Sequence, residues 1–459
     1  RAKKRAVTPK SVQQTIEIMK ISECGIFEVA VGRYSKTYRF SDVNYATRTE
    51  NEQESFFQRY CKCLNSFDCT FKITVNNKNK DMELLKKDVM LSYEQDGFDK
   101  MRKSYNNIIE EKILEGRQGI EQERYITISI ERKNFEEAKA QFTTIENSLF
   151  KNFAELGSKL IPISGNERLK ILHDYYRLGR EEEFDFDIKE GKKTGTDFRN
   201  DICNSKLKFY QDYYEDESKV CRVLYIKKYP TYLSDRFFTE LTFLPIHSIT
   251  SVDVVPVPKD MTMRILQKKY LGIESNIIKQ QQTRNKNNDF SSEISYTTRR
   301  QKADIEDIMN NVRENDESLF FVGVTMVVMA ENIEELDSIC ESVDSIARGA
   351  GCSIDICQYK QREALNTVLP IGVRQIETMR TMLTQSLAVL MPFNVQEICE
   401  VVVWYHVFVC VENFSYFECH LRLFVRTRYT LDLVDRISVG NAHLGHGLRI
   451  QHIHQHSCG

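Results

Sequence analysis

The chain has 459 residues, 41% of them apolar and 28% charged, and a net charge of -2. That length holds two or three domains, and the balance is that of an ordinary globular protein, with no global electrostatic drive toward nucleic acid. The longest apolar runs, Leu319–Ala330 and Val401–Val411, are shorter than a membrane helix needs, so no transmembrane segment is expected.

Residues 1–10 read as a disordered basic arm. No apolar stretch follows them, so no secretory signal is expected. Thirteen Cys without regular spacing read as reduced thiols of a cytosolic protein. "GIFEVAVGRYSKTYRFSDVNYA" (Gly25–Ala46) alternates apolar and polar residues around a Gly-Arg turn, which predicts a β-hairpin. "EQESFFQRYCKCLNSF" predicts a helix, and "FKITVNN" (Phe71–Asn77) a strand. Asp81–Glu115 is a charged helical stretch with a break near Asp96-Gly97. "YITISIE" (Tyr125–Glu131) is a strand. Asn134–Leu156 is an amphipathic helix with Phe135, Ala138, Phe142, Ile145 and Leu149 at helical spacing, stopped by Gly157, and "SKLIPIS" is a third strand.

The order then repeats. "SVDVVPV" (Ser251–Val257) is a strand, and Lys259–Glu314 is a long polar helical stretch with a Gln/Asn-rich break at Gln280–Asn288. "LFFVGVTMVVMA" is a strand, "NIEELDSICESVDSIARGAG" a helix with a Gly stop, and "SIDICQY" a strand. Strand, helical hairpin, strand, helix, strand thus occurs twice. The predicted fold class is α/β (α+β): two related α/β sandwich domains, sheets covered by helices, with long helical hairpins and a poorly structured C-terminal tail. The expected domains span 11–180 and 181–400, the second carrying the hairpin 259–315, with a loop-like boundary at Gly179–Asp201.

No catalytic or cofactor-binding constellation emerges. "KEGKKTGT" (Lys189–Thr196) faintly resembles a phosphate loop, but Phe186 stands where the first Gly belongs and Lys193 where Ser or Thr belongs. Cys61, Cys63 and Cys69 lack the partner pair that structural zinc requires. His452, His454 and His456 at period two would share one face of a strand, a weak candidate for a divalent metal. His173 and Asp174 are adjacent on a helix and point about 100° apart, so they form no triad by themselves. "NIIKQQQTRNKNNDF" (Asn276–Phe290) and "RAKKR" are basic enough to touch phosphate, but a solvated hairpin and a flexible arm account for them, and no direct nucleic-acid binding is expected.

The composition changes near residue 400. From Val401 to Gly459 there is no Lys, and this stretch holds Trp404, the one Trp of the chain, and seven of the nine His.

Six stretches, in order, resemble the conjugative-transfer ATPases of bacterial type IV secretion systems, the CagE, TrbE, VirB family, in the form carried by integrative conjugative elements of Gram-positive bacteria. They are "GRYSKTYRFSDVNYA" (Gly32–Ala46), "FKITVNNK" (Phe71–Lys78), "ERLKILHDYYR" (Glu167–Arg177) and "SVDVVPVP" (Ser251–Pro258). The last two are "LGIESNIIKQQQTRNKNNDFSSEISY" (Leu271–Tyr296) and "ALNTVLPIGVRQIETMRTMLTQSLAVLMPFNVQEI" (Ala364–Ile398). The resemblance implies an N-terminal α/β region that docks on inner-membrane channel subunits and sister ATPase subunits, peripheral at the cytoplasmic face of the membrane. In the family a RecA-like motor follows, which binds ATP and magnesium and powers DNA transfer from a mobile genetic element. A phosphate loop is expected a few tens of residues after "AVLMPFNVQEI"; residues 401–459 do not resemble that region. On this reading the chain is truncated before the Walker A motif, lacks cofactors and is inactive as an ATPase. Residues 401–459 then read as an out-of-frame tail, with a genuine new module or a rearrangement as the alternatives. An independent scaffold, or a metal-binding protein acting through the C-terminal His, is the alternative to a docking half.

Overall fold

The computed structural model describes residues 11–393, apart from 46–47, 80–89, 95, 115–119, 179, 205, 218, 231, 235, 287–295 and 315–316, together with strands at 404–409 and 417–422. The chain divides into two compact units, residues 1–42 with 55–392, and residues 43–54 with 393–459.

In the first unit, period-two alternation becomes strands and period-3.6 runs become helices. The first hairpin is β1 (Ile26–Ala30) and β2 (Arg33–Phe40), turned at Gly32 with φ +73. The second strand ends at Phe40, short of the expected Ala46. Then follow α1 (Glu50–Asn65), whose first turn belongs to the second unit, β3 (Thr70–Asn79), α2 (Asp99–Leu114), β4 (Ile120–Glu131), α3 (Phe135–Leu156), β5 (Leu160–Pro162) and α4 (Gly165–Tyr176). The charged stretch expected to be a loop boundary instead folds into two short helices, α5 (Ile188–Thr194) and α6 (Arg199–Ile202). Asp187 starts α5 by accepting from the backbone N–H groups of Lys189 and Glu190.

The second half runs β6 (Leu207–Phe209), β7 (Tyr214–Asp216), β8 (Lys219–Lys228), α7 (Arg236–Thr242) and β9 (Ser248–Val257). The helices α8 (Lys259–Lys286) and α9 (Tyr296–Glu314) follow, with α8 continuing through the expected break at Gln280. The half closes with β10 (Leu319–Ala330), α10 (Ile333–Gly349), β11 (Ser353–Ile356), α11 (Gln361–Val368), β12 (Arg380–Leu383) and α12 (Thr384–Ala388).

The twelve described strands from β1 to β12 join one sheet, in the order β1-β2-β4-β3-β9-β10-β8-β7-β6, with β5 on β2, β11 on β8 and β12 on β10. The two stretches expected as separate domains meet at the antiparallel β3–β9 pair, and the 180/181 division falls inside one compact unit. The order reads alike from either end: β1-β2-β4-β3 faces β7-β8-β10-β9, a topological two-fold about that central pair. Both halves use the same helix start. Asn134 accepts from the Glu137 N–H at 2.9 Å, and Asn332 from the Glu335 N–H at 2.9 Å.

At its centre one face of the sheet is apolar, with Phe71, Ile73, Ile126, Ile128, Val252 and Val254 buried, while Arg124, Thr250 and Arg222 lie farther out on the same face. The opposite face is mixed. It carries Ser35, Thr37, Lys72, Thr74, Thr127, Ser251 and Asp253, all buried as well.

In the second unit, β13 (Trp404–Val409) and β14 (Phe417–Arg422) pair antiparallel, Trp404 opposite Arg422 and Val409 opposite Phe417. The disordered arm expected at 1–10 and the rest of the 401–459 tail, including His452, His454 and His456, lie outside the described residues.

Candidate functional site

A buried polar sheet face must find its hydrogen bonds within the protein. It finds them in the last residues of α11 and the segment after it, which cross the sheet as an irregular strap. Each of the seven consecutive carbonyls from Thr367 to Val373 accepts a hydrogen bond from a side chain. Lys72 Nζ donates to Thr367, to Leu369 at 3.2 Å and to Val373 at 3.0 Å. The Ser251 hydroxyl donates to Val368 at 2.5 Å, Ser35 to Ile371 at 2.7 Å and Ser129 to Gly372 at 2.9 Å. Pro370 accepts from Thr37 at 3.2 Å, Thr127 at 3.3 Å and Arg168 at 3.2 Å.

Two buried cations organise this contact. Lys72 lies 3.3 Å from Asp253, which also accepts from Arg374 at 2.9 Å. Burial lowers the proton affinity of Lys72, while Asp253 pulls the other way. Arg168, on α4, spreads its guanidinium over Gly25 O, Ser35 O, Ser35 Oγ and Pro370 O, and its carbon lies 4.0 Å from the centre of the Phe27 ring. Burial brings its pKa down to about 9, still charged at neutral pH. α4 can present Arg168 because a capping box starts it: Ser164 accepts from the Glu167 N–H, and Glu167 accepts from the Ser164 N–H at 2.8 Å.

The strap lies close enough to demand small residues. Gly372 has φ +82, and a Cβ there would meet Ser129 Oγ at 2.5 Å and Ser35 Cβ at 2.7 Å. A Cβ on Gly323 of β10 would meet the Arg374 guanidinium at 2.3 Å. Beyond the strap, Arg124 Nε donates to Pro392 O at 2.8 Å and its guanidinium pairs with Asp42, which anchors the end of this unit. These donors are directed at backbone carbonyls, so the arrangement fixes a segment of chain.

The other residues singled out in the sequence lie elsewhere. Lys189–Thr194 fall on α5, where Gly191 packs against the Phe186 ring instead of opening an anion cradle. Cys61 and Cys63 are buried on α1, and Cys69 is half-buried; burial pushes each thiol up to about 12. Among the described residues no cluster of His, Cys, Asp and Glu is arranged to hold a metal. His173 is buried, with its Nδ1 3.5 Å from Asp174, whose carboxylate also faces Lys78 at 3.2 Å. Asn276–Lys286 form the distal end of α8. No described helix is long and apolar enough to cross a membrane.

No protein-family model and no curated protein matches the chain.

Proposed function

We propose that residues 11–392 form the docking portion of a conjugation ATPase, one that binds the inner-membrane subunits of a type IV secretion channel and neighbouring copies of the same ATPase. One observation supports this most. Five of the six stretches that carry the resemblance, scattered from Gly32 to Ile398, meet at the strap. They contribute Ser35 and Thr37, Lys72, Arg168, Ser251 and Asp253, and the strap itself. A strap held at seven carbonyls ties the chain to the sheet shortly before β12 and the end of the unit, as a docking portion must if it is to hold a following segment in register with a channel. On this reading ATP and magnesium bind outside residues 11–392, in the motor of the full-length family member, and the protein works at the cytoplasmic face of the membrane.

The test is co-expression of the full chain with the channel's inner-membrane subunits and purification in detergent. Co-elution with at least one subunit is expected, and failure with all of them overturns the reading. A rise in melting temperature on adding ATP and magnesium would contradict the placement of the nucleotide site. Translation of the source DNA beyond the Met391 codon in all three forward frames locates the motor if one frame carries Gly-x-x-x-x-Gly-Lys-Ser/Thr.

A further inference from the structure

The longest described helix, α8, has two unlike faces. Leu266 and Ile277, eleven residues or about three turns apart, are buried. The opposite face carries Arg264, Lys268, Leu271, Ile278, Lys279 and Lys286, at spacings of four, three, seven, one and seven residues that keep them within a narrow arc. All six are exposed, Leu271 at 62% and Ile278 at 53%. The stripe runs for about 33 Å at 1.5 Å per residue.

Its charge opposes that of the rest of the chain. From Arg264 to Lys286 there are six Lys and Arg and one acid, Glu274, a net of +5; the whole chain is -2, so the remainder is -7. Glu274 is not available to neutralise the stripe, because it pairs with Lys302 of α9 at 3.1 Å.

We propose that this face of α8 lies flat on an anionic lipid surface. Lys and Arg snorkel toward acidic headgroups, while Leu271 and Ile278, set between the cations, enter the headgroup boundary. Exposed aliphatic side chains in the middle of the stripe favour lipid over nucleic acid, since phosphate backbones offer them nothing and single strands are gripped by aromatic stacking, which this face lacks. The inference relies on the preceding reading only for a membrane being at hand.

The test is sedimentation of the full chain with vesicles of phosphatidylcholine containing about 30% phosphatidylglycerol, at low and high salt. Binding is expected to need the anionic lipid and to weaken with salt. Each cation should contribute about fivefold, so Arg264→Gln, Lys268→Gln, Lys279→Gln and Lys286→Gln together should lower partitioning by more than roughly a hundredfold. Leu271→Ser with Ile278→Ser should lower it about tenfold and keep the salt dependence. Lys192→Gln with Lys193→Gln, exposed cations on α5, should leave it unchanged. Equal binding to pure phosphatidylcholine, or a fourfold variant that binds like the parent, overturns the proposal. So does tight binding to a DNA duplex with none to vesicles, which would assign the stripe to nucleic acid. Channel association is measured in detergent without vesicles, so failure of one reading leaves the other standing.

Discussion

The two halves of the sheet place different chemistry at matching positions. Ala30 and Arg33 flank the first hairpin turn, as Asp216 and Lys219 flank the second. Counting on from those turns, the cross-strand pairs Ser35/Ser129 and Thr37/Thr127 of the first half correspond to Cys221/Met329 and Val223/Val327 of the second. What covers each half explains the difference. The second is covered by α11, whose Ala364, Leu365 and Val368 join one apolar cluster with Cys221, Val223, Val327 and Met329. A helix satisfies its own carbonyls, so the surface beneath it can be apolar. The first half is covered by the strap, whose carbonyls lie at or beyond the open end of α11, so the sheet must supply donors. Side-chain choice on a buried sheet face therefore follows the hydrogen-bonding state of the backbone that lies on it.

The largest test of that contrast is at the closest approach. Gly372→Val adds a branched side chain at positive φ against Ser35, Thr127 and Ser129. It is expected to cost more than about 4 kcal/mol or to abolish folding. Gly157→Ala has the same sign of φ, +78, but open space around it, and is expected to cost only about 1 kcal/mol. Urea midpoints of the two variants decide the matter: equal losses would mean that φ, and not the strap's fit, sets the cost.

The turn positions offer a second test, through pH. Asp216 occupies the place of Ala30, and burial raises its carboxyl to about 7, against a hydrogen bond from Asn204. A carboxylate raised in the folded state stabilises fully below its unfolded pKa, 3.8, and loses that contribution as pH climbs to about 7. The parent should therefore lose about 3 kcal/mol between pH 4 and 7 relative to Asp216→Asn. His247 acts in the opposite sense. Burial lowers it to about 4, so it destabilises as pH falls below its ordinary 6.5, equally in both proteins. Melting curves for the pair across that window isolate Asp216, and parallel curves would show it to be ionised in the folded protein.

A reciprocal exchange tests the comparison itself. Thr37→Val gives the first half the second half's residue and removes a donor from Pro370 and a hydrogen-bond partner from Thr127, for an expected loss of about 1–2 kcal/mol. Val223→Thr places a hydroxyl in the apolar cluster beneath α11 and should cost about 1–3 kcal/mol. If either exchange is neutral, the covering backbone does not dictate the face.

Part of the fold is readable in the chain because several of its strands alternate apolar and polar residues. "FKITVNN" and "YITISIE" declare two-faced strands, and Asn134 and Asn332 announce their helices. The strap is not readable in that way. A lysine between Phe71 and Ile73 looks like an ordinary outward-facing residue, and only carbonyls almost 300 residues away make Lys72 a buried anchor. Arg168 is hidden for the same reason: its acceptors at Gly25, Ser35 and Pro370 are all distant in sequence. The strand β8 escapes pattern reading because Val223, Leu224 and Ile226 are buried on both faces of the strand, which erases the period of two. The helices α5 and α6 are too short to build a periodic signal.

The smallest expected effect bears on where the halves remain alike. Asn134 and Asn332 cap α3 and α10 through the same bond at the same 2.9 Å, and each is followed by Glu at the third position. Each substitution to Ala should cost about 1 kcal/mol. The caps share no partner, so the double variant should lose the sum to within about 0.5 kcal/mol. Both helices follow the sheet-centre strands, β4 and β10, that flank the β3–β9 pair. Equal and additive losses would mean that the halves fold by the same local rules and differ only in what lies across the polar face. A larger loss at Asn332 would instead couple α10 to the second half's apolar cluster and place the divergence of the halves earlier, in how each helix docks.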